Sequence, residues 1–172
     1  MNIVLDIDGV LGDFYGHFAH KIGRQLPMQM DAKITSQEWA AIRASDFWAT
    51  MPLLEGGRYL ARLGPLAQNL WLLTSRPVDA RAGTLAWLDA SGIRLYNDMH
   101  LLMVHPSADK IKHLCALAPC AFLDDYLPVV ATVDGYDEID AQLMLQPWNA
   151  AVLQYFAKVR AVASVKEFLD AQ

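Results

Sequence analysis

The chain has 172 residues, is 54% hydrophobic and 19% charged, and carries a net charge of −5. That length suits one domain with a full core, and that composition excludes a disordered chain. No apolar run reaches the roughly 18 residues of a membrane span, and the acidic balance excludes the basic footprint of a protein that grips a long nucleic acid.

In chain order, a brief apolar run at residues 3–5 ends abruptly in acid. Further apolar runs follow at 70–73, 100–104, 120–123, 141–145 and 159–163. Continuous runs of this length predict strands covered on both faces, as in a parallel sheet. Helical spacing predicts a helix over 77–90, stopped near Gly92, and another over 108–117. Ser164 and Glu167 form a capping-box pattern that starts a last helix. Strands alternating with helices predict an α/β architecture. No basic and apolar leader precedes the first run, so a cytoplasmic location is expected.

One stretch breaks the alternation. About 60 residues separate the first two strands, too many for a single crossover helix. Phe14, Phe18 and Ile22 share a helical stripe. Thr35 and Glu38 form another capping box, with Ile34 and Trp39 placed as a hydrophobic staple. Residues 14–52 read as a small helical cap inserted after the first strand, on a core of 1–13 and 53–172. An insertion there covers the carboxyl ends of the strands, where open α/β sheets bind ligands.

Four signals carry chemistry. Asp6 and Asp8, followed by Gly9, close the first strand. The two-residue repeat of a strand lets both acids face one way, and their repulsion calls for a divalent cation. Carboxylate oxygens suit magnesium, and Gly9 lets the backbone turn sharply beside a ligand. Thr74, Ser75, Arg76 and Pro77 close the second strand where a helix is expected to begin, a ready anion site. Asp124 and Asp125 end the buried run at 120–123 and are a second source of hard oxygen ligands. Lys110, near a helix start, completes the set, with Lys112 as its competitor. Cys115 and Cys120 read as reduced, buried thiols.

Acid pair, hydroxyl, lysine and acid pair, in this order, resemble the four motifs of the haloacid dehalogenase superfamily of phosphatases. The resemblance spans residues 3–126. It implies a Rossmann-like three-layer α/β/α sandwich with a mainly parallel sheet. It implies Asp6 as nucleophile, Asp8 as acid and base, and Thr74 and Lys110 as binders of the phosphoryl group. It implies Mg2+ held by the Asp6 side chain, the Asp8 carbonyl and Asp124, with Asp125 a direct ligand or one acting through water.

Phe47-Trp48, Met51-Pro52, Glu55-Gly56 and Gln146-Pro147-Trp148-Asn149 resemble segments of 5'(3')-deoxyribonucleotidase-like proteins. Gly12-Asp13-Phe14 is similar as well, although that group more often has Ala at the position of Gly12. The implied substrate is a small phosphate ester, a (deoxy)ribonucleoside monophosphate, taken by a monomer or homodimer. Gly9, Phe14, Trp48, Thr74, Ser75, Arg76 and Lys110 are then the substrate-binding residues. Phe14, Trp48 and Met51 are candidates for an apolar base slot, or alternatively core. Arg76 meets phosphate or sugar, or lies on the surface. Other readings are a sugar phosphatase, a phosphatase of polynucleotide ends, which the acidic charge disfavours, and a non-catalytic module that binds a phosphorylated ligand or a protein.

Overall fold

The computed structural model describes residues 1–24, 34–156 and 158–172, apart from the side chains of Ala108 and Val152. Among the described residues, the apolar runs become six strands: β1 (Asn2–Leu5), β2 (Leu70–Thr74), β3 (Leu101–Met103), β4 (Cys120–Asp124), β5 (Ile139–Met144) and β6 (Arg160–Val162). They form one sheet in the order β3-β2-β1-β4-β5-β6, with every neighbouring pair parallel. This is the doubly wound order, whose direction of travel reverses between β1 and β4.

Successive side chains of a strand point to opposite faces. Leu5, Leu72 and Leu123 accordingly join one buried apolar cluster. Val4, Leu73, Phe122 and Leu143 join another. Helices cover both faces, so the expected three-layer sandwich is what the chain adopts. Leu60 of α4 (Glu55–Leu63), Trp87 of α5 (Arg81–Ala90) and Phe168 of α9 (Val165–Asp170) pack in the first cluster. Leu114 of α6 (Lys110–Leu117) and Val130 of α7 (Leu127–Val133) pack in the second. A short helix, α8 (Ala150–Leu153), follows β5.

The insertion carries α1 (Phe14–Ile22), α2 (Ser36–Arg43) and α3 (Phe47–Thr50). Asp13 caps α1, accepting from the Gly16 N–H. The capping box on α2 forms as expected, with Glu38 N–H donating to Thr35 Oγ1 and Thr35 N–H to Glu38 Oε2. Phe14, Phe18, Ile42, Phe47 and Trp48 are buried in the same cluster as the sheet face below them.

Three local readings change. The helix expected from Pro77 starts as a 3-10 turn at Val78–Ala80 and becomes α5 only at Arg81. Pro77 itself is extended, with φ −63° and ψ 149°, so the helical turn can begin only after it. The crossover helix α4 was hidden by Gly56 and Gly57, poor helix formers that lie against the carbonyls of Val10 and Leu11. Cys115 is exposed and only Cys120 is buried. In α6 the inward positions are Lys110 and Leu114, four apart, which turns Cys115 outward. Among the described residues no helix is long and apolar enough to cross a membrane.

Candidate active site

The strand register brings the two acid pairs together. Leu5 pairs with Leu123 across the β1–β4 junction, and Asp6 N–H donates to the Leu123 carbonyl at 2.9 Å. The next residues on each strand are therefore neighbours at the point where the winding reverses. Asp6, Asp124 and Asp125 are all buried, and each offers a carboxylate oxygen within 4.8 Å of the others. Gly9 makes this approach possible. Its φ is +80°, and a Cβ there would sit 2.2 Å from Asp125 Oδ2. It faces the acid cluster and does not line the cavity described below.

Lys110, 1% exposed, reaches in from α6. It donates to Asp124 Oδ2 at 2.8 Å and lies 2.9 Å from Asp6 Oδ1. The second contact is an ion pair without hydrogen-bond alignment, so Asp6 Oδ1 is a buried oxygen with no hydrogen-bond donor. Burial alone would lower the lysine pKa, but the Asp124 and Asp6 carboxylates outweigh it and raise it. Burial pushes Asp6 up to about 8, against the pull of Lys110 and with the help of Asp124 and Asp8. Asp125 is raised by burial and then by Asp124 and Asp6. Lys112 is 81% exposed at its side chain and pairs with Asp109 away from the cluster.

One lysine does not neutralise three buried carboxylates. The donor set is all oxygen, one of its oxygens lacks a donor, and two of its acids are driven toward protonation. These residues fit a hard divalent cation such as magnesium.

Asp8 is placed differently. Its carboxylate is outside the acid cluster and turns to Arg76, which leaves only its backbone carbonyl for a metal. Arg76 Nη2 donates to Asp8 Oδ1 at 2.7 Å, and Nε lies 3.1 Å from both carboxylate oxygens. Arg76 is 1% exposed, which removes the surface alternative. Its Nη1 donates to Thr84 Oγ1 at 3.1 Å.

Thr74 is fully buried, and its hydroxyl accepts from Arg76 N–H instead of capping a helix. Ser75 lines a cavity of about 860 Å3 above the acids, together with Asp6, Asp8, Arg76, Lys110 and Asp125. Phe14 and Trp48 line it from the insertion. Met51 does not: it is buried with its sulfur 3.5 Å from Arg76 Nη2.

Several wall residues had no distinguishing signal in the sequence, namely Tyr15, Arg43, His105 and Tyr126, and Trp39 was marked there only as part of a staple. Burial and the Asp125, Asp8 and Asp6 carboxylates raise the Tyr15 phenol and keep it protonated. The segment after β5 was noticed for its pattern but not for its work. Trp148 Nε1 donates to Asp125 Oδ2 at 2.7 Å, and Asn149 Nδ2 to the Asp125 carbonyl at 2.9 Å. Gln146 Nε2 donates to the Gly9 carbonyl at 2.7 Å. This segment fixes both the Gly9 turn and the last acid.

No family model matches the chain, and no curated protein matches it. Solved structures do. A hydrolase from Pseudomonas syringae superposes with a TM-score of 0.52 at 15% identity, over 99% of this chain and 96% of that one. A hydrolase of the haloacid dehalogenase-like family from Streptococcus pneumoniae superposes with a TM-score of 0.53 at 14% identity, over 99% and 98%. The chain shares the fold of these hydrolases.

Proposed function

We propose that the protein is a magnesium-dependent phosphomonoester hydrolase of the haloacid dehalogenase type that works through an aspartyl-phosphate on Asp6. The observation that carries this reading is the convergence of Asp6, Asp124 and Asp125, three buried carboxylates facing a single lysine, at the floor of a cavity. The fold shared with a haloacid dehalogenase-like hydrolase and the motif order support it.

Bound at the cluster through Asp6, Asp124 and the Asp8 carbonyl, with Asp125 beside them, magnesium would neutralise charge on these acids and on the phosphoryl group. Asp6 attacks phosphorus, forming a P–O bond as the ester P–O bond breaks. Lys110 fixes the Asp6 carboxylate and is placed to meet a phosphoryl oxygen. Asp8 passes a proton taken up from solvent to the leaving oxygen, then takes one from the water that opens the acyl phosphate. Ser75 lines the cavity where phosphoryl oxygens arrive, and Thr74 supports the turn beneath.

A nucleoside monophosphate is the substrate we favour. The cavity is far larger than a phosphate ion, and its walls include Trp39 and Tyr126, half-buried rings on which a base can stack. A phosphate-release panel tests this, with deoxyribonucleoside monophosphates, sugar phosphates and an aryl phosphate, each with and without magnesium. Magnesium-dependent release favouring nucleotides is expected. Preference for sugar phosphates would move the substrate, and no release from any ester would leave a phospho-ligand binding module.

A further inference from the structure

Arg76 is held in a tight setting that includes the insertion. Its guanidinium carbon lies over the Trp48 ring, 4.9 Å from the centroid, and over the Trp87 ring at 5.1 Å. Trp87 is itself fixed, its Nε1 donating to the Met51 carbonyl at 2.6 Å. Thr84 takes Nη1, and the Met51 sulfur lies near Nη2. Nε and Nη2 both donate to Asp8. Trp87, Thr84 and Arg76 belong to the core, whereas Trp48 comes from α3 of the insertion. Trp48 is only 7% exposed, and Phe14, Phe47 and Arg76 surround it.

We propose that Trp48 is a positioning residue: its indole holds the Arg76 guanidinium in the plane that grips Asp8, so the insertion sets the orientation of the acid–base carboxylate. This rests on the phosphatase reading for its consequence, but the Trp48–Arg76–Asp8 linkage stands on geometry alone. A cation over an indole face is attracted to the ring quadrupole, and more so where water is excluded. A planar guanidinium that lies over two indole rings and is hydrogen-bonded along its edges loses its rotation, and its fork then dictates where the partner carboxylate sits. A leucine at position 48 fills space but offers no π face, whereas a phenylalanine keeps one.

The test compares the parent with Trp48→Phe and Trp48→Leu on phenyl phosphate and 4-nitrophenyl phosphate. These esters present the same ring to the walls and differ in how far the leaving oxygen needs a proton. The ratio of kcat/KM reports steps up to leaving-group departure. We expect Trp48→Leu to lose roughly tenfold or more on phenyl phosphate relative to the nitro ester, since general acid catalysis is worth at least that. Trp48→Phe should restore most of it. Equal losses on both esters, or none, would assign Trp48 to packing or substrate binding and overturn the proposal. A second readout needs no turnover. The Arg76 Nε–H resonance should be sharp and slow to exchange in the parent and in Trp48→Phe, and exchange-broadened in Trp48→Leu. The same signal in all three would overturn the linkage. If the parent hydrolyses neither ester, the enzymatic reading fails and this resonance alone decides the Trp48 claim.

Discussion

Trp148 and Asp125 meet across the mouth of the sheet: the indole N–H, carried by the segment after β5, donates to Asp125 Oδ2 at 2.7 Å. Tyr15 packs against the indole, with ring centroids 4.6 Å apart. The last acid of the cluster is thus aimed by a donor from a different strand connection. Replacing Trp148 with Phe keeps a ring against Tyr15 and removes only the donor. Magnesium affinity should fall by about 10- to 100-fold, as for other outer residues that orient ligands. Calorimetric titration measures it, and unchanged affinity would mean that Asp125 is oriented by its neighbours alone.

Gly9→Ala is expected to be damaging for two separable reasons. The backbone is at φ +80°, and the new methyl would meet the Asp125 carboxylate and its carbon at 2.2 and 2.3 Å. The strain and displacement should cost about 1–3 kcal/mol of stability, read by denaturant unfolding, together with loss of metal binding.

Lys110→Ala leaves Asp6 and Asp124 buried without their cation. A loss of about 3–5 kcal/mol is expected from breaking a buried pair in this way. Phosphate release should fall below detection. Lys112→Ala removes only an exposed pair with Asp109 and should stay within about 0.5 kcal/mol of the parent. The opposite ranking would mean that the wrong lysine has been placed in the site.

The raised acids give a pH signature. Asp6 moves from 3.8 to about 8, chiefly through burial, and Asp125 moves in the same direction. The folded, metal-free protein therefore holds protons that the unfolded chain would release. That contribution to stability is fully present below the ordinary carboxylate range and is lost as pH rises through about 8. Magnesium competes with those protons, so its affinity should rise between about pH 6 and pH 8, with protons released on binding. The increase in Tm on adding magnesium should be larger at the upper end. A Tm gain independent of pH would contradict the raised Asp6.

The floor of the site was legible in the sequence because burial and charge change abruptly there. Leu5 to Asp6 and Leu123 to Asp124 are each an apolar strand ending in acid, and the sheet order then places the two ends side by side. The Thr35–Glu38 capping box was legible because its signal lies within a few residues. What escaped depended on distant pairing. Nothing local to Arg76 announces that Asp8, Trp48, Trp87 and Thr84 will enclose it, so its burial could not be read. The latch formed by Gln146, Trp148 and Asn149 is a neutral polar segment whose meaning comes only from Gly9 and Asp125. The α4 helix was masked because its two glycines answer a packing need against Val10 and Leu11 and not a helical preference.

The most direct test is chemical trapping of the phosphorylated residue. The protein is turned over with a labelled phosphomonoester in magnesium, quenched in acid and mapped by peptide. Label is predicted on the peptide bearing Asp6, acid-stable and base-labile, and absent from both Asp6→Asn and the metal-free parent. Phosphate release by Asp6→Asn at the parental rate, or label on any other residue, would contradict the account.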